Sequence, residues 1–223
     1  MASLSSYCLV SPSSRGQRIK SCARHVSGYR KMKKILIGLM LVTAFSVNAQ
    51  QKTAAELKAE REQIATELKS KDVVKRQDKL VKLNEKAANV KQTGLGSIDG
   101  LAETSTSVLK TVMSTNEVLK QYRVEMTDNG NGEVDIARYS ANLDDYVKLG
   151  ADLAAAAILA ADGAKKLESA NDDAKKLSPL QAKSALSSVS FSTDALSLSA
   201  DEIALQTRIV TNLIESIKAS KNL

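Results

Sequence analysis

The chain has 223 residues and a formal net charge of +7, but its charges are unevenly distributed. Residues 1–49 hold 8 of the 32 Lys and Arg residues and no Asp or Glu, so the remainder carries 24 basic and 25 acidic residues. A nearly neutral remainder lacks the basic surface that binds phosphate backbones, and we therefore expect no nucleic-acid partner.

Residues 32–49 have the three parts of a secretory signal peptide. The basic start Met32-Lys33-Lys34 is followed by an uncharged apolar run, 35–45, and then by small residues at Val47 and Ala49. The run is shorter than the roughly 20 residues that a membrane-spanning helix needs. A membrane anchor or a buried helix is the alternative. We expect export to the periplasm or the extracellular space, with cleavage near Ala49.

Residues 1–31 precede this leader and are rich in Ser and Arg. The export start at Met32 favours the interpretation that they are an upstream extension foreign to the native protein. An organellar transit peptide has the same composition and is the alternative. Either way, we expect residues 50–223 to form a single helical-bundle domain without them.

Both cysteines, Cys8 and Cys22, and the single histidine, His25, lie before the expected cleavage site. The exported chain can therefore form no disulfide, and its stability has to come from helix packing. It also has no imidazole for catalysis or for metal binding.

The first predicted helix covers residues 53–92. Thr53-Ala54-Ala55-Glu56 is a capping box, in which a hydroxyl and a carboxylate satisfy free N–H groups at a helix start. An apolar stripe follows at helical spacing, and Gly94 and Gly96 are expected to end the helix. The stripe consists of Leu57, Ile64, Leu68, Leu80, Leu83, Ala87 and Val90.

The second predicted helix covers residues 98–122. Its inner positions fit one heptad frame and include two small hydroxyl residues, which lower the apolar burial and permit a close helix approach. These positions are Leu101, Ser105, Val108, Val112, Thr115, Leu119 and Tyr122.

Residues 123–136 interrupt the helical pattern and predict either a short β-hairpin or a polar loop around Asp128-Asn129-Gly130-Asn131-Gly132. A calcium-loop frame over 127–138 matches at its centre. It fails at its ends, where Thr127 replaces the first Asp and Arg138 replaces the bidentate Glu. We therefore expect no metal site.

The third predicted helix covers residues 137–177, and its centre from Ala154 to Ala157 is all alanine. Such a face lets a neighbouring helix approach closely. Its inner positions keep a 4-3 rhythm: Tyr139, Leu143, Tyr146, Gly150, Leu153, Ala157, Ala160, Ala164 and Leu167.

The fourth predicted helix, 179–220, has the clearest pattern. Ser178-Pro179-Leu180-Gln181 combines an N-cap, a proline at the first helical position and a capping-box glutamine. Apolar residues then recur every seven positions, which is typical of a left-handed coiled-coil seam. They are Ala182, Val189, Leu196, Ile203, Val210 and Ile217, with Leu186, Thr193, Ala200, Thr207, Ile214 and Lys221 at the alternate inner positions.

Candidate catalytic groups are weak throughout. Asp144-Asp145, Asp172-Asp173 and Asp201-Glu202 are adjacent acidic pairs, and neighbours on a helix do not share a face. We expect them on solvated surface. Ser187-Ser188-Val189-Ser190 has no histidine to activate it, although a Ser–Lys pair is conceivable. We therefore predict no enzyme, no catalytic residue, no cofactor and no metal.

Together these patterns predict an all-α fold: an elongated antiparallel helical bundle or coiled coil of about four long helices. We expect an exported envelope or secreted protein that presents helix faces to a protein partner or to itself. The alternative is a membrane-active, pore-forming-like bundle that exposes its Ala-rich segment, 149–161, although the polar loop near residue 130 counts against membrane insertion. A carrier of an apolar ligand is a third, weaker interpretation.

Export is directly testable. N-terminal sequencing or intact mass of the exported protein should give Gln50 as the first residue, because Val47 and Ala49 suit signal peptidase. An envelope-associated form that retains Met32 would contradict this prediction.

Overall fold

The computed structural model describes residues 52–125 and 143–221, which form an all-helical bundle, as predicted. Within these ranges there are five helices and no strand. The helices are α1 (Ala54–Leu68), α2 (Lys71–Ala87), α3 (Gly96–Glu125), α4 (Leu143–Lys175) and α5 (Pro179–Lys221).

The first predicted helix is not continuous, so the prediction of one helix over 53–92 is wrong. It breaks between α1 and α2, where Ser70 caps α2 and its Oγ accepts from the Val73 N–H at 3.3 Å. The buried residues explain the break. Ile64 and Val73 are nine residues apart, and in an unbroken helix that spacing places them on opposite faces. The break brings both into the core.

Two helix starts follow their sequence signals. At α1, the Thr53 N–H donates to Glu56 Oε2 at 2.8 Å, and the Glu56 N–H donates to Thr53 Oγ1 at 3.3 Å, which completes the predicted capping box. At α5, Pro179 is the first helical residue, and the Ser178 hydroxyl donates to Gln181 Oε1 at 2.8 Å.

The turn between α2 and α3 is organised by one carboxylate. α2 ends at Ala87, earlier than predicted, and Gly94 adopts a positive φ of 78° further along. Asp99 accepts from the Thr93 N–H at 2.7 Å, the Thr93 hydroxyl at 2.8 Å and the Gly94 N–H at 2.9 Å. Burial opposes ionisation of Asp99, but these hydrogen bonds outweigh it and hold its pKa below the usual value.

Residues near both ends of α4 show how the three long helices run. Gly150 lies against Val210, and Gly163 lies against Leu196, so α4 and α5 are antiparallel. The Ser97 hydroxyl donates to Asp173 Oδ2 at 2.9 Å, near the start of α3 and the end of α4, so these helices are antiparallel too.

α1 and α2 together, here called the arm, lie along α5 and run antiparallel to it. Three ion pairs follow one another along this boundary. They join Lys52 to Glu215 at 3.1 Å, Glu67 to Arg208 at 2.6 Å and Arg76 to Glu202 at 2.8 Å. The chain thus forms an up-down-up-down bundle whose first rod is broken.

The predicted inner positions of α3 and α5 are mostly buried, although Ala182 is only partly buried and the side chain of Tyr122 lies outside the described part of the structure. Leu101, Ser105, Val108, Val112, Thr115 and Leu119 of α3 lie in the interior, together with Val189, Leu196, Ile203, Val210 and Ile217 of α5. The alternate positions on α5 are only partly as predicted. Ala200 is buried, but Ser192, Ser199, Gln206 and Leu213, each one residue before a predicted position, are buried too, whereas Leu186 is 42% exposed.

A second face of α5 is buried beneath the arm, which the heptad pattern does not reveal. Apolar residues on this face, including Phe191, Leu205 and Ile209, alternate with polar ones. Asn212 Nδ2 donates to the Leu57 carbonyl at 3.1 Å, and Arg61 donates to Ser216 Oγ at 2.7 Å. α5 is therefore packed on two sides along most of its length.

Glu202 contradicts the expectation that the Asp201-Glu202 pair is solvated. Asp201 is exposed, but Glu202 is 0% exposed and faces the arm. It accepts from Arg76 Nε at 2.8 Å and from Gln77 Nε2 at 3.1 Å. A buried carboxylate needs such partners, because transfer from water is costly for an unpaired charge.

Gly163 marks a close contact between helices in the interior. A Cβ there would lie 2.9 Å from Leu196 Cδ1 and 3.5 Å from Thr104 Cγ2. Three helices therefore converge on this glycine, and a larger residue would push Leu196 away.

Several predictions fall on residues that the structure does not describe. α3 continues through 123–125, so the predicted interruption begins later than expected. The rest of it, the calcium-loop frame 127–138, the predicted helix start at 137 and Tyr139 lie outside the described residues, as do residues 1–49.

The buried seam can be tested by truncation. Leu196→Ala or Ile203→Ala should lower the free energy of unfolding by about 2–5 kcal/mol, because each leaves a cavity between helices. Ser197→Ala and Lys218→Ala should change it by no more than about 0.5 kcal/mol. Denaturant unfolding followed by circular dichroism measures all four. Wild-type stability of both seam variants would place the buried face elsewhere.

Two Arg–Glu ion pairs join the arm to α5: Arg76–Glu202 is buried and Arg208–Glu67 is exposed. Arg76→Ala should cost about 3 kcal/mol of unfolding free energy, since it leaves Glu202 buried without its cation. Arg208→Ala, which loses the exposed pair with Glu67, should cost less than about 1 kcal/mol. Equal effects in denaturant unfolding would mean that the buried pair does not hold the arm.

Candidate interaction face

α4 has one face in the core, and small residues dominate it. Tyr146 and Leu153 are buried, and from there to the end of the helix the inner positions are mostly alanine. The predicted 4-3 rhythm is correct from Tyr146 to Leu167, except that Gly150 is only partly buried. Small inner residues let α4 approach α3 and α5 closely, as the Gly163 contact shows.

The opposite face of α4 carries apolar side chains that point to solvent. Ile158 is 63% exposed, Val147 is 50% exposed and Leu159 is 42% exposed. Ala151 and Ala155 are also exposed and lie between them. These five residues, here called the α4 stripe, cover roughly 18 Å of helix. Val147, Ala151, Ala155 and Ile158 are spaced by four, four and three residues, with Leu159 next to Ile158, and this spacing places them on one side of the helix.

Charged residues bound the α4 stripe at both ends. Asp144, in the first turn of α4, is exposed before it. Lys165 and Lys166 are exposed beyond it, and Lys165 Nζ lies 3.0 Å from Asp162 Oδ1. The carboxylate at the start of α4 also suits the helix dipole. The stripe thus has an acidic end and a basic end, and its apolar surface is interrupted by Lys148 and Asp152, which are exposed on the same side of α4.

The α4 stripe was not identified from the sequence, although its signal is present there. Val147, Ile158 and Leu159 lie off the 4-3 rhythm that places Leu153 and Ala157 inside. Apolar residues that lie outside a helix's own inner face indicate a second packing surface. A helix that packs on one side only does not need apolar side chains on its other side.

The predicted acidic pairs are not brought together into a catalytic group. Asp172 and Asp173 lie 2.9 Å from Lys175 and 3.1 Å from Lys176 respectively, both at i,i+3 spacing. A hydrogen bond from the Lys175 ammonium lowers the pKa of Asp172. For Asp173, hydrogen bonds from the Ser97 hydroxyl and then from Lys176 lower the pKa. Both carboxylates therefore remain ionised and act as surface ion-pair partners.

In the serine run on α5, the hydrogen bond that the structure shows has a structural role. Ser188 is buried, and its hydroxyl donates to the Lys91 carbonyl at 3.5 Å, which ties the segment after α2 to α5. Within 52–125 and 143–221, no group of three His, Cys, Asp or Glu residues lies close enough to hold a metal ion. No helix in the same two ranges is long and apolar enough to cross a membrane.

Comparison of the chain with protein-family models, with curated proteins and with solved structures gave no match.

Proposed function

We propose that the protein is an exported, non-catalytic helical bundle of a bacterial envelope, periplasmic or secreted, that acts by binding another protein through the α4 stripe. Residues 32–49 serve as its signal peptide, with cleavage near Ala49. The observation that carries this proposal is the α4 stripe itself: Ile158 and Val147 are half or more exposed on a helix whose other face is already packed. A second helix would remove these side chains from water, which is favourable per unit of apolar area buried.

A second copy of the chain is the partner that the α4 stripe fits best. In an antiparallel pair of α4 helices, Val147 of one copy lies level with Ile158 of the other, and Ala151 lies level with Ala154. The small residues at the centre permit close approach, as in coiled-coil packing with the heptad spacing seen in this chain. The acidic end marked by Asp144 then lies near the basic end of the partner copy, marked by Lys165.

The membrane-active alternative would require α4 to leave the bundle. Insertion of 149–161 would require Leu153, Ala156, Ala157 and Ala160 to leave the core, where all four are buried. That would undo the contacts of α4 with α3 and α5 together. Leakage of a dye from anionic vesicles distinguishes the two functions: the binding protein should release none, and the membrane-active protein should release it rapidly.

Substitution on the α4 stripe tests the binding function. Ile158→Lys should abolish binding of the partner protein or self-association, because it places a charge within the apolar contact, opposite Val147 in the antiparallel pair. The free energy of unfolding should stay within about 0.5 kcal/mol of wild type, since the residue is exposed. A photo-crosslinker at Ala155, together with sedimentation velocity, reports both hetero- and homo-association.

Val81→Lys is the matched control, since Val81 is an exposed valine on α2, outside the α4 stripe. It should leave crosslinking and sedimentation unchanged. If both variants associate like wild type, the α4 stripe is not the binding surface.

A further inference from the structure

A groove lies between the C-terminal end of α2 and the first turns of α5, away from the α4 stripe. It exists because α2 ends at Ala87 while α5 continues back to Pro179, so an irregular segment forms one wall and a helix forms the other. Its volume is about 480 Å³, within the range of small-molecule sites. Ten residues line the groove: Lys86, Asn89, Val90, Lys91, Leu180, Lys183, Ser184, Ser187, Ser188 and Phe191.

The groove has an apolar track. Phe191 lies at one end and is mostly buried, Val90 lines the opposite wall, and Leu180 lies at the other end. Leu180 is 88% exposed, the most exposed of the large apolar side chains in the described part of the chain. From Leu180 to Phe191 the α5 wall is about 16 Å long, comparable with a medium-chain alkyl group. An alkyl chain in this track would cover Leu180.

The charges around the groove have one sign. Lys86, Lys91 and Lys183 line it, and none of the ten lining residues is acidic. Within the described ranges, no ion pair involves any of these three lysines. The N-terminal end of α5 adds the positive end of its dipole. Ser184 and Ser187 supply hydroxyl groups on the same wall. The cations are therefore available to an anionic ligand.

We propose that this groove binds a monomeric, single-chain anionic amphiphile, with its alkyl chain along Leu180, Val90 and Phe191 and its carboxylate or phosphate head group among the three lysines. An anion alone would leave the apolar track empty, and a neutral alkyl compound would leave the lysines unused. A flat bilayer surface cannot enter a cleft between a helix and the adjacent segment. This binding activity is separate from association through the α4 stripe.

Isothermal titration of the purified protein with sodium laurate, below its micelle concentration, tests the proposal. We expect one site per chain, no measurable binding of butyrate, and much weaker binding of a dodecyl maltoside monomer. Vesicles containing phosphatidylglycerol should not bind. Absence of laurate binding, equal binding of butyrate, equal binding of the neutral amphiphile, or stronger binding of vesicles would each overturn the proposal.

Matched variants locate the site. The triple change Lys86→Gln, Lys91→Gln and Lys183→Gln should weaken laurate binding by about tenfold. The control triple Lys75→Gln, Lys79→Gln and Lys82→Gln alters the net charge equally on exposed positions of α2 outside the groove, and it should bind like wild type. Equal loss in both triples would show that net charge, and not the groove, attracts the ligand.

A second pair of variants tests the alkyl track. Leu180→Gln should weaken laurate binding several-fold, whereas Leu186→Gln, an exposed leucine on the same helix outside the groove, should not. Both side chains are exposed, so circular dichroism melting should show both variants folded. If Leu180→Gln binds laurate like wild type, no alkyl chain lies in the track.

Discussion

The burial of α5 on two faces is the constraint from which the rest of the bundle follows. Each of the other four described helices packs against α5, so this helix has little surface left for charged residues. A helix in that position is commonly apolar on all sides. α5 instead combines apolar residues with small hydroxyl and polar side chains. Its neighbours satisfy some of these polar groups, whereas Ser192 Oγ, Ser199 Oγ and Gln206 Oε1 are buried without a hydrogen-bond partner among the described residues.

The polar groups of α5 that are satisfied make specific contacts with the neighbouring helices. Gln206 Nε2 donates to the Val112 carbonyl at 3.0 Å on the α3 side. On the arm side, Asn212 contacts both the Leu57 carbonyl and Glu60 Oε2. Glu202 is held by Arg76 and Gln77. Because a buried polar group loses free energy when its partner is displaced, these contacts favour one register of the arm along α5. If the contacts were only apolar, the arm could shift along α5 by one helical turn at a smaller cost in free energy.

The sequence pattern predicted one face of α5 and missed the other for a physical reason. Leu196 and Ile203 belong to the apolar series that recurs every seven residues, and large apolar side chains at that spacing leave few alternatives to a buried face along the helix. The face under the arm depends on Glu202, Asn212 and Ser216, which become interior residues only once particular partners are in place. Phe191, Leu198 and Leu205 on that face do recur every seven residues, but the polar residues between and beyond them obscure the pattern.

The break before α2 was predictable in principle. Val73 is two residues out of phase with Leu57 and Ile64, and Ser70 with Asp72 after it is a reasonable helix start. The α4 stripe was also detectable in the sequence, since its apolar residues lie off the 4-3 spacing of the buried residues of α4. The groove beside Leu180 left none, because it depends on α2 ending at Ala87, and nothing in that segment signals an end there.

The partners of the arm are also far away along the chain. Arg76 and Glu202 are separated by 126 residues, and Arg61 and Ser216 by 155, whereas α3, α4 and α5 follow one another directly. During synthesis the arm is therefore made first, and its docking surface is made last. α3 to α5 can pair through contacts between consecutive helices, and α2 also packs against α3, so α1 is the segment that depends most on the last helix made. The exposed side chains of α1 and α2 are mostly charged or polar, which limits the apolar surface that the arm presents before it docks.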